Sequence, residues 1–486
     1  MEDFTFEAIA KKSVSGIIAL TSRTFFIQLL GIAASFILTI YLDQFSFGVF
    51  AIVSSIIIFF GYFQDIGLAA SLIQKKESPT LKDYRTVFTI QQVMVLALII
   101  PAIIFSSNIV SLYGLAKEGQ YLLIALLISF LINSLRTIPT VMLERKLNYG
   151  KLVIPEIVEG LLYNITLIVC AVMGLGVTSF TLAVLIRSFG GIIATYIIQP
   201  WRIGIALDRE SAKRLLSFGI PFQMNNILAL FKDHFLTLYL GVILPLSQLG
   251  IVAFAQKLAF LPLRLVMDNI IKITFPSYSR LQDDKKSLKI AVEKSLFVIS
   301  FFIFPVASMI IMFTPFLIKF IPRYEKWEPA VFSVLFFALS TVISSISTPL
   351  TNFLNAIGKV KITLYFMIFW TLTTWVITIF AVQRIGYNGV AVAAFLVSLS
   401  SLAVFVVSKR YLSFSVISPI YKSFIAAFLM AGFIYFIESV ITSFIFLILS
   451  GILSGGFYLL VMLLISKKEI LSTIRFARHS LVKEKD

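Results

Sequence analysis

Fourteen predominantly apolar runs divide this chain, at about 14–41, 46–73, 86–106, 120–143, 152–174, 178–199, 218–243, 247–271, 295–318, 329–355, 362–382, 389–408, 423–438 and 441–465, with short polar loops between them. A run of about 20 such residues matches the hydrocarbon thickness of a bilayer. No water reaches backbone N–H and C=O groups there, so a spanning segment must be a helix or part of a closed barrel. The runs are continuous rather than alternating, which predicts helices. The expected fold is an all-α polytopic membrane protein of about 14 transmembrane helices. Composition agrees: 59% of residues are hydrophobic, 13% are charged and mean hydropathy is +0.98, far outside the soluble range. The first run is too long for a signal-peptide core, lacks a small-residue cleavage site and follows Met1-Glu2-Asp3, so it is expected to stay as a span.

Loop charge predicts orientation. With the N-terminus in the cytoplasm, the loops and tails on that side carry 29 of the 41 Lys and Arg residues, the opposite loops carry 5, and 7 lie inside spans. Basic loops stay on the cytoplasmic side. Both termini are therefore expected in the cytoplasm, in a multi-pass protein of the cytoplasmic membrane. The same count explains the net charge of +17 as topology beside anionic headgroups rather than a nucleic-acid surface. Cys170 is the single cysteine and only His234 and His479 are histidines, so no disulfide framework, metal site or cofactor is expected. No loop is long enough for a folded soluble domain and no GxxxxGK[ST] motif occurs. These features predict a secondary-type transporter, not an enzyme.

A weak repeat is present. Ile37-Leu38-Thr39-Ile40-Tyr41-Leu42 resembles Phe235-Leu236-Thr237-Leu238-Tyr239-Leu240, and Phe47-Gly48-Val49-Phe50-Ala51 resembles Leu249-Gly250-Ile251-Val252-Ala253. Six spans separate the copies, so they share one orientation, which predicts two six-helix lobes about a pseudo-twofold along the membrane normal. The expected layout is an N-terminal lobe over 1–200, an amphipathic cytoplasmic linker helix over 201–217, a C-terminal lobe over 218–410, two further spans over 411–466 and a basic tail over 467–486.

Cations inside spans are costly, about 2.5–3.5 kcal/mol each on insertion scales, and usually face water and an anion. They are Arg23, Arg136, Arg187, Lys232, Lys257, Arg264 and Lys272. All but Lys272 are candidates for a cationic cavity, since Lys272 is placed to snorkel. Lys257, Leu261, Arg264, Asp268 and Lys272 step by 4, 3, 4 and 4, one face of a continuous helix; Pro262 would break that stripe, and Arg264 would equally pair with Asp268. Lys232 and Asp233 are adjacent and would compensate locally, while Arg23 and Arg136 lie within snorkelling reach of a surface. Candidate acids are Asp65, Glu156, Glu159, Asp233 and Asp268. Glu156 and Glu159 share a face, suited either to a coupling cation or to neutralising nearby arginines.

Four stretches carry a family resemblance. They are Phe47-Gly48-Val49 through Phe63-Gln64-Asp65-Ile66-Gly67-Leu68 to Lys76, Ile138-Pro139 through Leu143-Glu144-Arg145-Lys146-Leu147-Asn148-Tyr149 with Glu156, Gln256-Lys257-Leu258 through Phe275-Pro276-Ser277-Tyr278 to Asp284, and Pro349 through Asn355-Ala356-Ile357-Gly358-Lys359. In their order and spacing the chain resembles the polysaccharide-transporter, Wzx-type branch of lipid-linked oligosaccharide flippases, in the superfamily shared with multidrug and toxin extrusion carriers. The resemblance implies a monomer that turns a polyprenyl-pyrophosphate-linked glycan from the inner to the outer leaflet by alternating access. It also implies membrane lipids as surroundings and a polysaccharide polymerase and glycosyltransferases as pathway partners. Arg23 and Arg264 occupy spans comparable to those that hold the pyrophosphate in the superfamily's lipid II flippases. The rival readings are a cation-coupled multidrug antiporter, disfavoured because the first span holds Arg23 and no buried acid, and a membrane-embedded glycan polymerase or ligase, disfavoured by the short outer loops.

Overall fold

The computed structural model describes residues 6–64, 67–75, 77–213 and 234–482. Every regular element among them is helical. Among the described residues, eleven helices are long and apolar enough to cross a membrane, or up to 12 when the pair Lys117–Ser134 and Thr137–Arg145, bent by 41°, counts as one span. Of the fourteen expected spans, the seventh lies largely outside the described residues. The eighth is interrupted: helix ends at Ala259, a π turn covers Leu263–Met267, and helix resumes at Asp268. A turn at Phe260 precedes Leu261 and Pro262, which are again helical; with no N–H, Pro262 leaves the Leu258 carbonyl without its helical donor. The wider π turn changes the spacing along the backbone between Lys257 and Lys272.

The chain forms two compact units, Met1–Gly250 and Ile251–Asp486. In the first, α1 (Phe6–Tyr41), α2 (Gln44–Gln64), α3 (Leu68–Gln74), α4 (Leu81–Ile104), α5 (Ser106–Leu112), α6 (Lys117–Ser134), α7 (Thr137–Arg145), α8 (Tyr149–Val172), α9 (Thr178–Ile198) and α10 (Leu236–Ile243) follow in order. Helix α8 packs along α1 and α9. The faces of α9 show why. Ser188, Gly191 and Thr195 are buried, whereas Ile186, Phe189, Ile193 and Ile197 are exposed. Lipid is as apolar as leucine, so small and hydroxylated residues go to helix contacts and large aliphatic ones face outward.

Gly48 and Gly250, the equivalent glycines of the repeat, mark a reciprocal contact inside this unit. A methyl on Gly48 would overlap the carbonyl of Leu246, and one on Gly250 would overlap the carbonyl of Gln44. Only glycine allows backbones this close.

The segment after α9 is tied down by hydrogen bonds. Residues 201–208 run without helix, and helix begins at 209; the expected linker residues 214–217 lie outside the described residues. Trp201 packs edge-on to Phe88, with ring centroids 5.0 Å apart. Ala206 N–H donates to Thr89 Oγ1 and Asp208 N–H to Thr86 Oγ1, each at 3.1 Å. Ser211 Oγ donates to Asp83 Oδ1 at 2.9 Å. Asp83 is 1% exposed and also takes Lys75 Nζ at 2.6 Å and the Thr80 backbone at 2.7 Å in a capping box. Beside it, Arg145 donates to the carbonyls of Leu72, Ile73, Lys75 and Glu77, which satisfies acceptors that the end of α3 leaves open.

The second unit is built on α11 (Leu246–Ala259, whose first turns belong to the first unit), α12 (Asp268–Arg280), α13 (Lys285–Phe320), α14 (Val331–Ala356), α15 (Val360–Ile385), α16 (Asn388–Ser400), α17 (Ala403–Lys409), α18 (Ile417–Phe436) and α19 (Phe444–Val482). Tyr278, Leu350, Phe353 and Met430 anchor its core, and Phe254 stacks on fully buried Trp327 at 4.2 Å. On α15, Tyr365, Phe369, Leu372, Val376 and Phe380 face outward, as a lipid-facing helix requires. Helix α13 is capped by Asp284, whose side chain accepts from the N–H groups of Lys286 and Ser287. Those bonds, with the Ser287 hydroxyl, hold its carboxyl below the usual range.

Candidate functional site

The polar heart of the first unit is a belt of ion pairs on α8. Glu156 and Glu159, three residues apart, look in directions that the 3.6-residue turn keeps on one side of the helix. Glu156 Oε2 meets Arg23 Nη2 from α1 at 2.5 Å. Glu159 is gripped from two sides. Arg136, in the bend between α6 and α7, pairs with Oε1, and Arg187 of α9 donates from Nε to Oε2 at 3.4 Å. Three cations from separate spans are thus brought against two acids, so that Glu156 and Glu159 neutralise nearby arginines.

The pairs are not alike. The Arg136 side chain is 13% exposed and that of Glu159 9%, and Arg136 also donates from Nε to Thr195 Oγ1 at 2.9 Å and toward Asn133 Oδ1 at 3.4 Å. Thr195 in turn donates to the Gly191 carbonyl. Arg187 is 49% exposed; its guanidinium lies 5.6 Å from the centre of the Tyr163 ring, and its Nη groups make no hydrogen bond among the described residues. Arg136 is therefore a fastener and Arg187 a partly committed donor. Gly191 makes the packing feasible, because a methyl there would overlap the Glu159 carboxylate.

A recess of about 350 Å³ opens on this group, with Arg136, Arg187, Glu159, Glu144, Asn133 and Thr140 among its lining residues. Arg23, Arg136 and Arg187 against Glu144, Glu156 and Glu159 balance in formal charge. The site at rest is a neutral network rather than an open positive pool. A guanidinium fork matches carboxylate or phosphate oxygens equally well.

The remaining candidates stand elsewhere. Asp65, Lys232 and Asp233 lie outside the described residues. Arg264 falls in the π turn and Asp268 opens α12; only their backbone is described. Lys257, in the last turn of α11, is exposed and belongs to the second unit. Sequence reasoning passed over Asn133, Tyr163, Gly191, Thr195 and Glu144. One signal was available: Arg187, Gly191 and Thr195 are spaced by four, so the arginine, the gap and the hydroxyl share one face of α9.

Comparison with known proteins places this architecture. A curated relative from Klebsiella pneumoniae, an uncharacterized membrane protein in the cps region, is 26% identical over 358 residues, covering 72% of this chain and 71% of the relative. The lipopolysaccharide biosynthesis protein WzxC of Escherichia coli (strain K12) is 22% identical over 403 residues, covering 81% of this chain and 80% of WzxC. Among solved structures, the lipid II flippase MurJ in its inward closed conformation shares the fold, with a TM-score of 0.74 at 17% identity over 93% of this chain and 100% of that one. A family model described as polysaccharide biosynthesis protein matches residues 23–332, a stretch that begins at Arg23 and includes every member of the ion-pair belt. The chain belongs to the polysaccharide biosynthesis protein family of multi-pass membrane proteins.

Proposed function

We propose that this protein is a flippase that carries a polyprenyl-pyrophosphate-linked oligosaccharide, a precursor of a cell-surface polysaccharide, from the inner to the outer leaflet of the cytoplasmic membrane by alternating access. The observation that carries this reading is the Arg23–Glu156 and Arg136–Glu159–Arg187 belt beside an open recess in a membrane-spanning unit. It is supported by the relatives named for lipopolysaccharide biosynthesis and by the fold of a lipid II flippase.

The physical problem for such a carrier is to keep guanidinium groups charged in a bilayer while the site is empty. Here Glu156 and Glu159 act as stand-in anions. An arriving pyrophosphate competes for Arg187, the most exposed and loosely held of the three, and for Arg23. Glu159 keeps Arg136 when Arg187 is drawn away, so its carboxylate is not left bare. The lipid tail stays in hydrocarbon, and only the charged head needs the recess. Such a protein works as a monomer on a substrate supplied by glycosyltransferases, its product passing to a polymerase, with both of its own termini in the cytoplasm.

The test is flipping of a labelled polyprenyl-pyrophosphate oligosaccharide in proteoliposomes. A hydrogen bond between charged partners contributes about 1.5–3 kcal/mol, so Arg187→Ala should slow flipping roughly 10- to 100-fold, with Arg187→Lys in between. Unchanged flipping by Arg187→Ala would remove this residue from the path, and no flipping by the unaltered protein would remove the function.

A further inference from the structure

The last helix, α19, contains a break that the transport reading does not use. At Ser466 the backbone leaves helical geometry, with φ −134° and ψ 21°, and helix then continues to Val482. From Phe444 to Ile465 the helix rises roughly 33 Å at 1.5 Å per residue, close to the thickness of the hydrocarbon layer. The break therefore falls where the span has crossed the apolar region. Immediately beyond it, Lys467 and Lys468 are exposed.

The sequence past the break has two rows. Positions 470, 474, 477 and 481 hold Ile, Ile, Ala and Leu; positions 468, 472, 475 and 479 hold Lys, Ser, Arg and His. Both rows step by 4, 3 and 4, and an offset of two residues sets them roughly 160° apart on a helix. Lys467, Lys468, Arg475 and Arg478 stand against one acid, Glu469, which is already paired with Lys422. Ile470 packs against the core of the second unit, so the segment is fixed to the bundle at its start.

We propose that residues 467–482 form an interfacial helix that lies on the membrane at the end of the last span, its apolar row toward the acyl chains and its basic row binding anionic lipid headgroups. A helix that leaves hydrocarbon at a break and is at once amphipathic and basic meets headgroups before any other partner. Its charge complements theirs, and each Lys or Arg close to an anionic surface strengthens binding roughly fivefold.

The experiment uses the full chain in a Cys170→Ala background, with single cysteines at Ile474, Leu481, Ser472 or His479 carrying an environment-sensitive dye. The protein is placed in vesicles of phosphatidylcholine with or without phosphatidylglycerol, with brominated lipid as quencher. The expected result is a blue shift and quenching at 474 and 481 but not at 472 and 479, stronger with phosphatidylglycerol. Lys468→Glu with Arg475→Glu should remove that lipid dependence. Equal water exposure at all four positions overturns the proposal. So does protection at 474 and 481 that the brominated lipid fails to quench, since a protein partner would then cover the row.

Discussion

Glu159 is the residue on which the site turns. It is 7% exposed, it bridges two arginines, and its replacement leaves both without their counter-ion. Breaking a buried pair by removing one partner costs about 3–5 kcal/mol, whereas replacing both partners with apolar groups costs far less. Glu159→Gln should therefore lower the thermal unfolding midpoint in detergent, and adding Arg136→Leu to Glu159→Leu should recover much of the loss. Equal unfolding midpoints for Glu159→Gln and the parent would show that the belt carries no strain of charge. The candidacies of Arg23, Arg136, Arg187, Glu156 and Glu159 were readable one at a time, as charges within apolar runs. Their partnerships were not. Arg187 and Glu159 are 28 residues apart, and nothing in either local sequence encodes which helix the other stands on.

At the scale of elements, the strap from Trp201 to Ser211 shows a similar division. Amphipathic spacing predicts a helix over 201–217, yet residues 201–208 are not helical. The hydroxyls of Thr89 and Thr86 accept from the Ala206 and Asp208 N–H groups instead, which outweighs a weak local preference. Asp83→Ala removes the reciprocal half of the Thr80 capping box, the Lys75 partner and the Ser211 bond together. Loss of a cap alone costs about 1 kcal/mol, and trypsin should then cut at Arg202 and Arg209 several-fold faster. Asp208 supplies a pH test. It accepts the Ser211 N–H at 2.9 Å, and that bond lowers its pKa below the ordinary 3.8. A lowered carboxyl stabilises the fold above its unfolded value and loses that contribution as pH falls through the folded one. Amide exchange in the strap, taken relative to its intrinsic rate at each pH, should thus be unchanged between about pH 8 and 5 and accelerate only below roughly pH 4.

For the molecule as a whole, the predicted orientation is checked by labelling single cysteines, in a Cys170→Ala background, with an impermeant reagent. Positions in loops 74–85 and 276–294 should react only from the cytoplasmic side, and a position near Arg323 only from the outside. Reversed labelling would invert the direction of transport. The drug-carrier reading is tested separately: cells expressing the protein should gain no resistance to cationic dyes, because the first span presents Arg23, already paired with Glu156, where such a carrier needs an unpaired acid. Robust resistance would favour the antiporter.

The membrane class and the helical nature of the spans follow from the sequence alone, which also predicts the sidedness of the loops. Each depends on local quantities, namely run length, the need of every backbone group for a partner in hydrocarbon, and the tally of basic residues between runs. The tertiary structure decided how the buried charges are spent. A helix fixes which of its residues share a face, but only the packing of α1, α7 and α9 around α8 determines which charge each face meets, and that turned three apparently solitary cations into a balanced network.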